Sequence, residues 1–257
     1  MATKARKSRL DLSLVERGLV PSRTKAQALI MARRVKVAGE HVTKPGTMIR
    51  EESTIEIDQP EHPWVSRGGV KLAGALDHFG IDPAGLVVAD IGASTGGFTH
   101  VMLGRGAARV YAIDVGYGQL DQSLREDERV VVIERFNARY LTRDDLPELV
   151  SVISIDVSFI SLALILPAAV SILDPDGVVI ALIKPQFEVG RENVGKGGIV
   201  RDEKARLATV DKVTRAALEL GLVRRGLIES PIRGAEGNVE YLVYLHRRPP
   251  EVCDSPV

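Results

Sequence analysis

The chain has 257 residues, 45% hydrophobic and 26% charged, with a formal net charge of zero, the composition of an ordinary folded protein with room for one large domain and a small one. A single cysteine, Cys253, supports neither an internal disulfide nor a cysteine metal cluster and suits a reducing, cytoplasmic setting. The basic N-terminus lacks the apolar core of a signal peptide, and the longest apolar stretch, 162–173, contains Pro167 and falls well short of the ~20 residues that cross a bilayer, so no membrane partner is expected.

The zero net charge hides an asymmetry. Residues 1–50 carry twelve Lys/Arg against Asp11, Glu16 and Glu40, a net of +9, and the rest of the chain carries −9. A basic module on an acidic body points to a polyanionic partner, the plainer alternative being a solvated charged face. Residues 1–10 read as a basic, frayed arm, and 12–17 as a short helix stopped by Gly18. Ser22 caps a second helix running to about Arg33, with Ala26, Leu29 and Ile30 on one face. Val35 and Val37 alternate into a strand, Gly39 turns the chain, and 54–57 forms another short strand. Around these elements stand Arg9, Arg23, Lys25, Arg33, Arg34, Lys36 and Lys44 with few aromatic residues, a surface for the phosphates and shape of structured RNA rather than for base stacking.

R-L-D at 9–11, S-R at 22–23, A-x-x-L-I at 26–30, V-x-V-x-G at 35–39 and K-P-G at 44–46 resemble the S4-like RNA-binding domain, a small α+β fold. Arg9, Arg23, Arg33, Arg34 and Lys44 are its RNA-binding candidates. That pattern usually has glycine where Arg33 stands, closing the helix in a left-handed conformation; an arginine there costs roughly 1 kcal/mol.

Two prolines within 58–65 read as an extended linker, giving a first domain 1–60, a linker 61–66 and a second domain 67–257, with Trp64 as an anchor for the linker. A helix from Ser66 to about Phe79 carries Lys71. Residues 87–98, V-V-A-D-I-G-A-S-T-G-G-F, read as a buried strand, a glycine-rich turn and the start of a helix. Further strands cover 108–113, ending in Asp114; 130–134, before Asn137; 152–155, ending in Asp156; and 178–183, ending in Lys184. Helices cover 162–173 and 202–220, a turn 174–177, a glycine-rich mobile loop 190–200, and the closing strands 222–228 and 240–245. Alternating strands and helices predict a Rossmann-like α/β sheet, parallel and with helices on both faces, the closing pair allowing one antiparallel strand at the edge.

In such sheets ligands gather at the carboxyl ends of the strands. The glycines are spaced G-x-x-x-G-G, no lysine follows them as a triphosphate loop requires, and Asp114 is placed to bond a ribose. A nucleoside without phosphates fits, S-adenosylmethionine being the common one; the alternative is that Gly96 and Gly97 form a plain tight turn. Lys71, Asp156, Lys184 and Glu240 also stand at element ends on that side. Each alone has a dull explanation as a solvated or surface-paired charge. Together they suit the removal of a proton from a hydroxyl beside an electrophilic methyl group. A ribose hydroxyl needs a general base, and Lys184 serves if its pKa falls from ~10.4 toward ~7–8, about 4 kcal/mol of differential interaction. Lys71 and burial push that way, while Asp156 and Glu240 push back and so orient the ammonium groups. The five histidines are scattered, and no metal site is expected.

G-A-S-T-G-G-F at 92–98, D-V-G-Y-G-Q-L at 114–120, R-x-N-A-R at 135–139, D-V-S-F-I-S at 156–161, K-P-Q-F-E-V-G at 184–190 and G-N-V-E-Y at 237–241 resemble the TlyA family, which belongs with the FtsJ-like ribose methyltransferases. The resemblance implies a class I methyltransferase sheet behind an S4-like domain, acting on a cytidine 2′-hydroxyl of ribosomal RNA. Its Lys-Asp-Lys-Glu tetrad falls on Lys71, Asp156, Lys184 and Glu240. Its S-adenosylmethionine residues fall on Asp90, Gly92, Ala93, Ser94, Thr95, Gly96, Phe98, Asp114, Asn137 and Asp156. Members acting on both ribosomal subunits carry a further C-terminal helix, which R-R-P-P-E-V-C-D-S-P-V cannot form, so the large subunit is the expected substrate and the small one the second. A ribosome-binding assembly factor without turnover and, third, a haemolysin are the competing readings.

Overall fold

The computed structural model describes residues 7–58, 62–234 and 236–247, and the chain divides into two units between Pro63 and Trp64. The boundary falls inside the expected linker, whose last residues belong to the second unit. The Trp64 ring meets His100 edge-on at 5.5 Å between centroids, and the Val65 N–H donates to His100 Nδ1 at 3.1 Å.

The first unit runs β1 (Lys7–Arg9), α1 (Leu10–Glu16), α2 (Arg23–Met31), β2 (Val35–Val37), β3 (Glu40–His41), β4 (Met48–Arg50) and β5 (Ile55–Ile57). β1 pairs antiparallel with β4, so residues 7–9 are a strand and not a frayed arm; residues 1–6 lie outside the described ones. β2 is the middle of a three-stranded antiparallel sheet with β3 and β5. Leu10, Leu14, Ala26, Ile30 and Val35 form a core wholly closed to solvent. The Ser22 hydroxyl accepts from the Lys25 N–H, capping α2 as its position predicted. α2 stops at Met31 because Arg33 takes the left-handed conformation, φ +58°, that its place in the motif demanded.

The second unit runs α3 (Gly68–Phe79), β6 (Val87–Ile91), α4 (Gly97–Gly104), β7 (Arg109–Ile113), α5 (Gln122–Arg125), β8 (Val130–Ile133), β9 (Val150–Ile155), α6 (Leu166–Ile172), β10 (Leu173–Ile183), α7 (Pro185–Glu188), α8 (Glu203–Glu219), β11 (Leu222–Glu229) and β12 (Tyr241–Arg247). Its sheet has the order β11-β12-β10-β9-β6-β7-β8. Successive residues of the central strands point to opposite faces, and both faces are apolar, as expected of a parallel sheet covered twice. Ala89, Ile91, Ile153 and Ile155 pack under α6 and α8; Val88, Val152, Ile180 and Leu182 pack under α3 and α4.

Three expectations are corrected. The antiparallel strand is not at the edge: β12 runs antiparallel to β10 on one side and to β11 on the other, leaving β11 outermost. The helix expected over 162–173 is broken into a 3₁₀ turn at Leu162–Leu164 and α6, because Pro167 lacks an N–H and its ring clashes with the carbonyl four residues back, so it sits in a first turn and not mid-helix. The turn expected at 174–177 is an irregularity inside β10, where the pairing with β9 shifts register between Leu173 and Val178.

Candidate active site

The parallel strands all end on one side of the sheet, and β12, running the other way, begins there. Ile183 pairs with Tyr241, so Lys184 and Glu240 leave the sheet side by side. Asp156 follows β9 next door, and Lys71 comes in from the first turn of α3. All four line one cavity of about 570 Å³. They form two ion pairs: Lys71 Nζ lies 2.6 Å from Glu240 Oε2, and Lys184 Nζ lies 2.6 Å from Asp156 Oδ1. The first pair is nearly closed to solvent, with side-chain exposures of 9% and 3%, and the second is more open at 12% and 20%. Lys184 also donates to Ser158 Oγ at 2.9 Å. Lys184 thus sits between a carboxylate and a hydroxyl, in the more exposed of the two pairs.

The glycine loop forms the wall between this cavity and a second one of about 370 Å³, to which Gly92, Ser94, Asp156, Ser158 and Phe159 are common. Gly92 has φ +86°, and a Cβ there would lie 2.4 Å from the Asp156 carbonyl oxygen, so only glycine lets β6 and β9 release their loops this close together. Ala93, Thr95 and Phe98 line the first cavity. Asp114 and Asn137 line the second. The Asp114 carboxylate accepts from the Ser94 N–H at 2.8 Å and the Gly116 N–H at 2.6 Å, which fixes it while leaving lone pairs for a ligand's hydroxyls. The Asn137 side chain accepts from the Arg139 N–H at 3.1 Å.

Two expected cofactor residues face neither cavity. Asp90 is wholly buried and turns into the protein, where Oδ2 accepts from the Thr99 N–H at 2.9 Å and Thr99 Oγ1 at 2.7 Å, and Oδ1 meets Ser154 Oγ at 3.1 Å. Burial pushes its carboxyl up to about 7 against the pull of the Thr99 and Ser154 hydrogen bonds, with the nearby Asp156 charge adding to the rise. Asp90 thus anchors the start of α4 behind the loop. Gly96, at φ +94°, is buried against α5: a Cβ there would meet Leu124 at 2.3 Å and Leu120 at 2.8 Å. Both residues shape the loop from behind.

In the first unit, Arg9 Nε and Nη2 each lie 2.9 Å from an Asp11 oxygen, and Arg23 Nε lies 2.9 Å from Asp11 Oδ2. Gln27 adds a fourth donor at 3.1 Å, and the carboxylate is fully buried. The Arg9 guanidinium first, with Gln27 and Arg23, holds Asp11 well below the usual carboxylate range against the cost of burial. Arg33 and Lys44 are exposed. Arg34 is half-buried and donates to the Asp58 carbonyl, so it is committed to the fold more than the sequence suggested.

Sequence reasoning missed Ser158 and Asn238 as members of the site. Both stand inside motifs already singled out, but nothing in the spacing says that Ser158 meets Lys184 or that Asn238 holds the glycine-rich loop through Val200 N–H (2.9 Å) and the Gly198 carbonyl (2.8 Å). Among the described residues no cluster of three His, Cys, Asp or Glu is arranged to hold a metal, and no helix is long and apolar enough to cross a membrane.

A glycine-lined double cavity at the carboxyl ends of a seven-stranded sheet, with a small basic unit ahead of it, is matched by two family patterns: the FtsJ-like methyltransferase over residues 64–247 and the S4 domain over 8–55. The chain is therefore an FtsJ-like methyltransferase preceded by an S4 domain. Over 242 residues it is 49% identical to the 16S/23S rRNA (cytidine-2′-O)-methyltransferase TlyA of Mycobacterium tuberculosis, covering 94% of this chain and 90% of that one. A solved chain from Streptococcus thermophilus, described as a candidate hemolysin, matches with TM-score 0.74 at 44% identity over 98% of this chain and 91% of its own length. A solved Listeria monocytogenes chain, described as a candidate S-adenosylmethionine-dependent methyltransferase, shares the fold alone, with TM-score 0.53 at 16% identity over 71% of this chain and 100% of its own. The chain belongs to the TlyA family.

Proposed function

We propose that this protein transfers a methyl group from S-adenosylmethionine to the 2′-hydroxyl of a cytidine in ribosomal RNA, large-subunit RNA first and small-subunit RNA second. The observation that carries the reading is the meeting of two lysine–carboxylate pairs in one cavity beside the glycine loop. The second cavity suits the cofactor: none of its lining residues is cationic, so it fits an uncharged nucleoside and not a phosphate, and Asp114 presents a fixed carboxylate where a ribose needs one. Gly92, Ser94, Asn137 and Asp156 would complete its seat there, Ala93, Thr95 and Phe98 would meet it from the first cavity, and Asp90 and Gly96 support the loop from behind. Bound there, the cofactor supplies an electrophilic methyl group on a sulfonium.

The chain's own residues handle the proton. With the cofactor supplying the electrophilic methyl group, Lys184 would serve as the base that receives the 2′-hydroxyl proton, a role that requires its neutral amine. Asp156 and Ser158 aim the Lys184 nitrogen, and Asp156 holds the ammonium once formed. Lys71 and Glu240, paired and nearly closed to solvent, form the fixed wall opposite. The S4 unit supplies the RNA grip through Arg9, Arg23, Arg33 and Lys44, with Arg34 as a supporting residue.

The test is methyl transfer from labelled S-adenosylmethionine to separated, unmethylated ribosomal subunits, wild type beside Lys184→Ala. Label in large-subunit RNA from the wild type, with a loss of about 10²–10⁴-fold in the variant, is the expected result. Equal labelling by both keeps the enzyme and removes Lys184 as the base. No label on either subunit despite cofactor binding transfers the case to a binding factor without turnover.

A further inference from the structure

Glu188 of the K-P-Q-F-E-V-G motif carries chemistry that the site leaves unused. Its side chain is 1% exposed, it does not line the active-site cavity, and yet it is a carboxylate paired with Lys212. A buried carboxylate needs a reason, since an apolar side chain in its place spares the desolvation. Its partners give one. Oε2 accepts from Ser161 Oγ at 2.6 Å, and Oε1 accepts from the Leu162 N–H at 2.6 Å. Lys212 of α8 binds both the Glu188 carboxylate, at 3.1 Å, and its carbonyl, at 2.9 Å.

Those bonds fasten the far end of the loop that begins at Asp156. The near end is fastened by the Asp156–Lys184 ion pair and the Lys184–Ser158 bond. Both fastenings come from one five-residue segment, 184–188, lying alongside the loop. Between them Phe159 is held at φ +65°, a conformation costly for a bulky residue, with its ring 91% exposed and 5.0 Å from the Phe187 ring. A strained residue of this kind persists only where its surroundings over-determine it. We infer that Glu188 is a positioning residue of the methyl-transfer site: anchored by Lys212, it pins Ser161 and Leu162 so that Asp156 and Ser158 meet Lys184 in working geometry. The inference rests on the functional reading above for its catalytic consequence, and on the hydrogen bonds alone for its mechanical one.

The experiment compares full-length wild type, Glu188→Ala and Glu188→Gln in two measurements: steady-state methyl transfer with cofactor binding, and amide hydrogen exchange of the peptides spanning 156–164. In Glu188→Ala the expected result is about tenfold faster exchange confined to those peptides and a fall of about 30-fold or more in kcat. The S-adenosylmethionine Kd, measured alongside because 156–160 also line the second cavity, weakens by a smaller factor than kcat falls, and Glu188→Gln lies between the two, since one amide oxygen still accepts from the Leu162 N–H. Unchanged exchange overturns the proposal, and so does faster exchange with unchanged kcat, which is what a purely structural role gives. If Glu188→Ala does not fold, Ser161→Ala and Lys212→Met take its place, each removing one bond of the same set, with the same two readouts deciding. If wild type methylates no RNA, the functional reading has failed, and exchange alone then decides whether Glu188 pins the loop.

Discussion

Asp11 in the first unit and Asp90 in the second are both fully buried, and their surroundings push them in opposite directions. Asp11 faces Arg9, Arg23 and Gln27 and is held well below the usual carboxylate range; Asp90 faces two hydroxyls and an amide and is pushed up to about 7 by burial. The difference shows that burial sets only the cost, and that partners decide whether a carboxylate keeps its charge. It also separates the two units by use. The first sinks an anion and so orients two arginines at its surface. The second closes two lysine–carboxylate pairs inside a cavity and uses its buried aspartate to brace the helix behind the glycine loop.

Gly92→Ala gives the largest expected effect, because the new methyl group would meet the Asp156 carbonyl at a backbone angle that only glycine tolerates. Cofactor affinity measured by calorimetry falls by about 100-fold or more while RNA binding by a filter assay persists; loss of both breaks the division of labour. The mirror experiment is Arg23→Glu with Lys44→Glu, which lowers RNA affinity by about tenfold or more and leaves the cofactor Kd unchanged. Next come the buried aspartates themselves. Asp11 has a depressed pKa, so its contribution is full above the unfolded value of ~3.9 and is lost as pH falls; Asp11→Asn therefore costs roughly 2 kcal/mol at neutral pH, and the gap to wild type narrows on acidification. Asp90 has a raised one, so its contribution is full below ~4 and is lost as pH rises through about 7; the gap between Asp90→Asn and wild type narrows toward alkaline pH instead. Thermal unfolding followed from pH 3 to 9 reads both, and gaps that move in the same direction erase the comparison. The smallest effect is that of Arg33→Gly, which relieves the left-handed strain and raises the stability of the first unit by less than about 1 kcal/mol.

Much of this was legible in the chain. Strands such as 87–91 and 109–113 announce themselves as β-branched runs closed by a polar residue, and in a parallel sheet that residue stands on the ligand side, which is how Asp114, Asp156 and Lys184 were placed. Arg33 was placed by a motif that demands a left-handed residue whatever its side chain. Asp90 gives the same signal one position early: period two puts it on the face of Val88, under α4, while the chain leaves the sheet only after Ile91. The break at Pro167 lost to the apolar run around it. Which lysine meets which carboxylate was not legible at all, since that depends on the register between β10 and β12, two strands more than fifty residues apart.

The reversal of β12 has a consequence for how the protein is made. A nascent chain that has emerged as far as Glu229 holds the glycine loop, Asp156 and Lys184, but Lys71 still has no carboxylate to meet. Glu240 arrives only with β12, which lies between β10 and β11 in the sheet. The Lys71–Glu240 pair is thus tied to the placement of β12, and a chain that stops short of Glu240 cannot form it.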